Sequence, residues 1–247
     1  RVLFRSSPSD VLTSATFDYK QMAGNVTISG LEQIQNSGTE AIINLLESRI
    51  GVLEKTMSNT LSTSLYSDGT GTSGKEVGGL QLIVADAGTG TVGGINSSTY
   101  TFWQNAQTTA TSSAFSTTNI QADMNTIYLS LVRGADSPDL IMADTNAYKS
   151  FLGSLQAIQR VTSDRVATSG FTSVQYLNSD VIFDDACPAN KMYFLNTDYL
   201  RLEVAANRNF VPGEAKMSVN QDAMVTPMFW SGNLTCSNRA LQGVIHT

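Results

Sequence analysis

The residues closest to a known chemical motif are the glycines and the lysine at positions 69–75. Gly69-Thr-Gly-Thr-Ser-Gly74-Lys75 matches the first seven places of the phosphate-binding loop, in which backbone N–H groups and a lysine hold phosphates. The next place should be Ser or Thr, whose hydroxyl binds magnesium, but it is the carboxylate Glu76. Two interpretations follow, a nucleotide-binding enzyme or a glycine-rich turn, and Glu76 favours the turn.

The position of this loop and its repetition also favour a turn. A phosphate-binding loop opens a helix, so that the helix N-terminus faces the anion. Residues 69–75 instead follow a predicted helix, whose C-terminal end disfavours anions. A second G-x-G-x-x-G pattern, at Gly88, Gly90 and Gly93, shows that the Gly/Thr-rich composition of this region easily produces such patterns. We interpret both patterns as turns and predict no cofactor.

Five aspartates could in principle bind a metal or do acid–base chemistry. They are Asp136, Asp139, Asp144, Asp184 and Asp185. The first two flank the Ser137-Pro138 turn, the third precedes a predicted helix, and the last two follow a predicted strand into a turn. Turn and helix-capping roles explain all five, so we predict no metal-binding or catalytic carboxylate.

The histidine and the cysteines add little chemistry. His246 is the single histidine and stands beside the last residue, where a catalytic imidazole would be poorly positioned. Cys187 and Cys236 are far apart and show no metal-ligand spacing, so we expect buried free thiols. Without catalytic, cofactor-binding or metal-binding residues, the sequence predicts that the chain is not an enzyme. The aromatic residues Phe102, Trp103, Phe229 and Trp230 are predicted to be packing or interface anchors.

A long amphipathic helix must position the glycine-rich turn. Apolar residues recur three or four positions apart, as on one face of a helix, at Ile42, Ile43, Leu46, Ile50, Leu53, Met57, Leu61 and Leu65. Ser37 and Glu40 form a capping-box pattern, so we predict a helix from Ser37 to about Tyr66. At 1.5 Å per residue it would be roughly 40 Å long.

The rest of the chain mixes helices and strands without regular alternation, which favours an α+β fold. Further helices are predicted at Asn119–Arg133 and from Asp144 to about Arg160. Extended segments are predicted at Ser7–Leu31, Leu80–Val84, Leu140–Ala143, Val174–Phe183, Met192–Val204 and Ser218–Val244.

Composition narrows the class of protein. The 247 residues carry a formal net charge of −6, which argues against tight nucleic-acid binding. No apolar run approaches the roughly 20 residues of a membrane-spanning helix, so we expect no membrane association. Charged residues make up only 15%, which suits a surface covered by neighbouring subunits. Residues 1–6 read like a translated sequencing adapter, so we expect them to be foreign and the gene to continue upstream.

Several blocks, taken in order, resemble a tailed-bacteriophage major capsid protein. They are Val26-Thr-Ile-Ser-Gly-Leu-Glu-Gln-Ile-Gln-Asn-Ser-Gly38, Leu65-Tyr-Ser-Asp-Gly-Thr-Gly71, Gly78-Gly-Leu80, Pro138-Asp-Leu-Ile-Met-Ala-Asp144, Ser154-Leu-Gln-Ala-Ile-Gln-Arg160, Met192-Tyr-Phe-Leu-Asn-Thr-Asp-Tyr199 and Asn220-Gln-Asp-Ala-Met224. The resemblance covers nearly the whole chain after residue 6 and implies the Hong Kong 97-type capsid fold, truncated at its N-terminus.

The resemblance also implies a division into structural units. Residues 7–36 would be the returning limb of an extended loop together with a strand of the peripheral domain. Residues 37–78 would be the spine helix and its glycine-rich joint, also in the peripheral domain. Residues 79–205 would form the axial domain, and residues 206–247 the C-terminal strands of the peripheral domain. Some members of the family cross-link a loop lysine, and Lys20 lies near that region; a plain surface lysine is the favoured alternative.

The function implied by the resemblance is assembly. Identical subunits would form hexameric and pentameric capsomers of an icosahedral shell around double-stranded DNA, placing the chain in the virion after assembly in the host bacterial cytoplasm. Scaffold, portal and decoration proteins are the further partners implied, with non-specific proximity to the packaged DNA. Two alternatives stay open: another phage structural protein, such as a tail or decoration component, and a nucleotide-binding enzyme with a loop at 69–75.

Overall fold

The computed structural model describes residues 14–35, 39–156 and 174–247, and it has the predicted α+β architecture. Its helices are α1 (Gly30–Gln35), α2 (Thr39–Ser64), α3 (Gly71–Gly74), α4 (Leu80–Ile83), α5 (Ile120–Leu131) and α6 (Thr145–Gln156). Its strands are β1 (Lys20–Ser29), β2 (Thr91–Val92), β3 (Ile95–Asn96), β4 (Ala106–Thr109), β5 (Leu140–Ala143), β6 (Val174–Tyr176), β7 (Ser179–Phe183), β8 (Lys191–Leu195), β9 (Leu200–Val204), β10 (Val211–Pro212), β11 (Lys216–Met217), β12 (Ala223–Cys236) and β13 (Gly243–His246).

Helix α2 is the long helix predicted from the apolar periodicity. Its 26 residues extend about 39 Å at 1.5 Å per residue. Met57 is buried and Ile50, Leu53 and Leu61 are partly buried, in one cluster with Met228 and Trp230 of β12. The predicted apolar face therefore packs on the sheet that contains β12.

The capping box predicted for the long helix cannot be placed, because Ser37 lies outside the described residues. A different capping box begins α1. The hydroxyl of Ser29 accepts a hydrogen bond from the Glu32 N–H at 3.3 Å, and the Glu32 carboxylate accepts one from the Ser29 N–H at 3.1 Å. The S-x-x-E pattern at residues 29–32 is the sequence signal for this cap.

Strand β12 is the centre of a five-stranded sheet. It has 14 residues and pairs antiparallel with the whole of β1, from Lys20 opposite Gly232 to Ser29 opposite Ala223. Strands β9, β10 and β11 pair with its other side. Gly24 of β1 lies so close to α2 that an added Cβ would be 2.6 Å from Leu53. The small residue at this position therefore lets helix and sheet approach.

The second large sheet has six strands in the order β4-β13-β8-β5-β7-β6. Helices α5 and α6 pack on one face, where Met124, Phe151 and Phe194 belong to a single buried cluster. Tyr193 and Val244 point to the opposite face and join a cluster that includes Tyr66. The sheet is thus buried on both sides, as expected for its nearly continuous apolar strands.

The two sheets exchange strands across the boundaries predicted from the resemblance. Strand β9 falls within the predicted segment 79–205 but pairs with β12 in the five-stranded sheet. Strand β13 falls within 206–247 but lies between β4 and β8 in the six-stranded sheet. The boundary at residue 206 is crossed because the chain, after β12, runs back to the six-stranded sheet and adds β13 there.

Two local predictions need correction or qualification. The segment Leu80–Val84, predicted as a strand, begins with the one-turn helix α4. The helical turn places Leu80 and Ile83, three positions apart, so that both side chains are buried, without pairing to another strand. Residues 14–19, in the predicted returning limb, contact the body of the chain: the Thr16 N–H donates to the Gly93 carbonyl at 3.0 Å, and the Asp18 carbonyl accepts from Asn233 at 2.8 Å.

Candidate functional site

The glycine-rich loop is closed at its base, and the short α3 inside it is not a regular right-handed helix. The Ser67 hydroxyl donates to the Val77 carbonyl at 2.7 Å, and the Leu80 N–H donates to the Leu65 carbonyl at 2.7 Å. Inside the loop Thr72, Ser73 and Gly74 all have positive φ, which forms a left-handed turn. The backbone therefore turns at the glycines, and no helix begins directly after Lys75, since α4 begins only at Leu80.

The eighth residue of the pseudo-motif lies against the loop itself. The Glu76 carboxylate oxygens stand 2.2 and 2.3 Å from the point where a Cβ on Gly71 would be, and Thr72 Oγ1 lies 3.4 Å from one of them. A phosphate bound to this loop would meet that negative charge directly. The second pattern also ends in a turn, because Gly93 and Gly94 have φ of +60° and +79° between β2 and β3. The interpretation of both patterns as turns is confirmed.

Four of the five predicted turn or cap aspartates, all but Asp185, accept hydrogen bonds that hold the chain together. Asp144 accepts from the Ala147 N–H at 2.8 Å and so caps α6. Asp139 accepts from the Thr197 N–H at 2.8 Å, and Asp136 accepts from the Tyr199 hydroxyl at 3.1 Å. Asp185 is exposed. Within the described ranges, no group of three or more His, Cys, Asp or Glu side chains is placed to hold a metal ion.

Asp184 instead joins the end of the long helix to the six-stranded sheet. The Tyr66 hydroxyl donates to the Asp184 carboxylate at 2.6 Å, beside the buried Cys187 and Tyr193. Burial, followed by the hydrogen bond to Asp184, raises the pKa of Tyr66 far above its ordinary range. The neutral phenol thus keeps its donor proton and acts as a tie between two parts of the chain.

The thiols are free and buried, as predicted. Burial raises the pKa of Cys187 to about 12 and that of Cys236 to about 11. Because the thiolate is the reactive form, neither residue is an activated nucleophile at neutral pH. His246 is placed at the end of β13, with Nε2 3.3 Å from the Gln107 side-chain oxygen.

Arg239 is a buried charged residue that no sequence pattern predicted. Arg239 is fully buried, and its guanidinium donates to the Ile83 carbonyl at 2.6 Å, the Trp103 carbonyl at 3.1 Å and the Asn105 side-chain oxygen at 2.9 Å. Burial lowers the pKa of this arginine. It ties three segments that are distant in sequence, so its role is structural and depends on tertiary contacts.

The aromatic residues divide into packing and surface groups. Trp103 and Trp230 are buried, whereas Phe102 is exposed beside Tyr100. Phe229 is half-buried on the five-stranded sheet, with the Arg208 guanidinium 4.9 Å from its ring centre. Exposed aromatic residues are typical anchors of protein interfaces. In the part of the chain that is described, no helix is long and apolar enough to cross a membrane.

Solved structures with the same architecture are capsid and capsid-like shells. A chain of the cyanophage A-1(L) capsid matches with a TM-score of 0.63 and 16% identity, covering 92% of this chain and 77% of its own length. A chain of the Myoviridae phage XM1 capsid matches with a TM-score of 0.62 and 10% identity, covering 98% and 81%. The SrpI encapsulin of Synechococcus elongatus PCC 7942 matches with a TM-score of 0.65 and 11% identity, covering 92% and 73%.

These likenesses define the class of fold, which is the Hong Kong 97-type capsid fold. They do not separate a phage capsid from an encapsulin, since both are among the matches. The sequence makes that distinction. Residues 21–224 match the family described as SU10 major capsid protein, and the chain belongs to that family. Among curated proteins, no sequence match was found.

The family match decides between the alternatives left open by the sequence. The chain is a structural subunit of a phage capsid shell, and the predicted resemblance is confirmed over residues 21–224, which include the long helix. A tail or decoration component is thereby set aside. The glycine-rich segment 69–75, which resembles a nucleotide-binding loop, lies inside the range that matches the capsid family. In the structure it forms the turn after α2.

Proposed function

We propose that copies of this chain form the hexameric and pentameric capsomers of an icosahedral phage head around double-stranded DNA. The observation that carries the proposal is the family match over residues 21–224, which spans the long helix and most of both sheets. The subunit acts by assembly. Each copy contacts the next through two different surface patches, and the copies form a closed ring when the rotations between neighbours add up to a full turn. It is located in the virion and assembles in the bacterial cytoplasm.

The two sheets support a division into peripheral and axial domains. The peripheral domain consists of β1, the spine helix α2 and the five-stranded sheet around β12, which also takes β9. The axial domain consists of the six-stranded sheet with α5 and α6, which also takes β13. The buried cluster around Tyr66 and Tyr193 lies at the junction and couples the two.

The chain contributes no enzymatic step to this function. The polar groups that could do chemistry are engaged in turns, caps and ties, as with Glu76, Asp144 and Asp184. The formal net charge of −6 is consistent with a shell that encloses DNA without binding it tightly. Scaffold, portal and decoration proteins are the further partners of this role.

Expression of the gene that encodes this chain, with any upstream coding sequence, tests the proposal. We expect closed shells of uniform diameter by negative-stain electron microscopy, with scaffold protein supplied where the subunit alone gives only capsomers. Open tubes or monomers under all these conditions would contradict it. Isothermal titration with ATP and magnesium tests the enzyme alternative, and we expect no heat of binding. Binding that is lost in Lys75→Ala would restore the nucleotide site.

A further inference from the structure

The glycine-rich loop contains the single Asp–Gly pair of the sequence, Asp68-Gly69. No other aspartate or asparagine among the 247 residues precedes a glycine. An aspartyl bond before glycine rearranges most readily, because glycine has no Cβ to hinder its amide nitrogen from approaching the aspartate side chain. Asp68 is exposed and lies in the turn after α2, which ends at Ser64. The most reactive aspartyl bond of the chain therefore lies at the joint between the long helix and the loop.

The rearrangement of such a bond needs only the chain and water. The Gly69 amide nitrogen attacks the side-chain carboxyl carbon of neutral Asp68 and closes a five-membered succinimide ring. One water molecule leaves, made of the carboxyl hydroxyl and the amide hydrogen. Water then adds back and opens the ring at either carbonyl. Opening at the main-chain carbonyl gives isoaspartate, in which the main chain passes through the side-chain carbons and is one atom longer.

The fold requires glycine at position 69, so the reactive pair cannot be removed there without cost. Gly69 has a φ of +72°, in the left-handed region that side chains disfavour. A Cβ at this position would also lie 3.3 Å from the Gly78 Cα atom, across the base of the loop. Any protection of the bond must therefore come from its neighbours.

The neighbouring residues bind both reacting groups. Thr70 donates to Asp68 Oδ1 from its N–H at 3.0 Å and from its hydroxyl at 2.8 Å. These two hydrogen bonds favour the ionised carboxylate, and they hold the pKa of Asp68 below its ordinary value of 3.8. An ionised carboxylate has no hydroxyl to lose. The Gly69 N–H, whose hydrogen must leave in the reaction, donates to the Ser67 hydroxyl at 3.0 Å.

We infer that Asp68-Gly69 is the chain's site of spontaneous isoaspartate formation, and that the Thr70 hydroxyl restrains this reaction in the folded subunit. Both the reaction and its restraint belong to a single subunit, so the inference does not depend on the assembly proposed above. The product would alter the joint itself. The added main-chain atom would lie beside Ser67, whose hydroxyl closes the loop by donating to the Val77 carbonyl at 2.7 Å.

The variant Thr70→Val tests the restraint by removing the hydroxyl and keeping the N–H. Because Thr70 is exposed, the change removes little packing. Folded chains are incubated at neutral pH, and isoaspartate is measured by electron-transfer fragmentation of the tryptic peptide 56–75. We expect it to accumulate about three- to tenfold faster in Thr70→Val than in wild type, since a hydrogen bond to the ionised group is lost. Thr70→Ser keeps the hydroxyl and is the matched control, with the wild-type rate.

Two references complete the experiment. The full chain unfolded in guanidinium chloride gives the unrestrained rate. Asp68→Glu gives the background, because its longer side chain cannot close the five-membered ring. We expect the rate to rise from folded wild type to folded Thr70→Val to the unfolded chain. Circular dichroism checks that each variant is folded, and Thr70→Ala replaces Thr70→Val if the valine variant is not.

Three results would overturn the inference. An unfolded chain that forms no isoaspartate at position 68 would show that the bond is not the site. Folded wild type that reacts as fast as the unfolded chain would show that the fold gives no protection. Equal rates in wild type and in the folded hydroxyl-free variant would exclude the role of the Thr70 hydroxyl, as would a Thr70→Ser rate as high as that of Thr70→Val.

Discussion

Within the described residues, both faces of the six-stranded sheet are buried, whereas the five-stranded sheet is well covered on one face only. In the first, Ile141, Val181 and Phe194 have no exposed surface, and both faces are covered. In the second, α2 covers one face, and residues of β1 whose side chains point away from α2, among them Ala23 and Asn25, are exposed. The comparison predicts that the chain obtains more of its own stability from the six-stranded half than from the five-stranded half.

The largest expected effect tests where stability resides. Phe151→Ala removes a fully buried ring that packs edge-on against Tyr176, and we expect a loss of about 3–5 kcal/mol in the free energy of unfolding. Leu53→Ala, on the half-buried face of α2, should cost about half as much or less. Urea denaturation of both variants measures the difference. Equal losses would mean that the two halves contribute alike.

A second prediction concerns the close approach of helix and sheet in the five-stranded half. Gly24→Ala places a Cβ 2.6 Å from Leu53 and 3.0 Å from Met57, so we expect a loss of about 1–3 kcal/mol. Gly51→Ala in α2 is the matched control, since nothing lies within 4 Å of its added Cβ. That change should stabilise the helix by about 0.5–1 kcal/mol. Thermal unfolding of both variants measures the contrast, and a Gly24→Ala protein as stable as wild type would contradict it.

The third prediction compares two tyrosines at the junction between the sheets. The buried hydroxyl of Tyr193 has no hydrogen-bond partner within the described residues, so Tyr193→Phe should leave stability unchanged or raise it by about 1 kcal/mol. Tyr66→Phe removes the donor to Asp184 and should lower stability by about 1–2 kcal/mol. Chemical denaturation distinguishes the two signs. A clear loss in Tyr193→Phe would show that the hydroxyl has a bound water as its partner.

The smallest effect is the pH dependence of the Arg49–Glu32 pair. The hydrogen bonds from the Arg49 guanidinium, followed by that from the Ser29 N–H, hold the pKa of Glu32 below its ordinary value of 4.5. A lowered pKa contributes stability above the ordinary value and loses it as the pH falls through the folded value. We therefore expect wild type to melt above Glu32→Gln at pH 7, with a difference that shrinks once the pH falls below the ordinary value of 4.5 and is lost below the lowered folded value.

A parallel series checks that this dependence belongs to the pair. Glu47→Gln changes another exposed carboxylate of α2, which makes no ion pair among the described residues. Its difference from wild type should stay small across the same pH range. A Glu32→Gln difference that persists at low pH would show that the amide substitution perturbs α1 for another reason.

Periodic patterns were the part of the fold that the sequence predicted well. The apolar spacing located α2 and α5, and an apolar run of four residues located β5. The same reasoning identified Asp144 as a helix cap and both glycine patterns as turns. These features depend on local chemistry, so the sequence carries them directly.

Features set by distant contacts escaped prediction. Arg239 donates to residues 134 to 156 positions away, and Gly24 lies against Leu53 of α2. No local sequence pattern predicts either contact. The same holds for β13, whose four residues join the six-stranded sheet rather than the neighbouring β12. The S-x-x-E cap at 29–32 is present in the sequence, but it begins within Ser7–Leu31, a segment predicted to be extended throughout. The segment 80–84 was too short and apolar to separate a helical turn from a strand.

The interior place of β13 has a consequence for biosynthesis. Its sheet neighbours β4 and β8 both precede it, so a gap between them stays open until residue 246 has left the ribosome. A nascent chain cannot complete this core from its early residues, and a chain released prematurely lacks an inner strand. Translation through residue 246 is therefore needed before this half of the subunit can close its core.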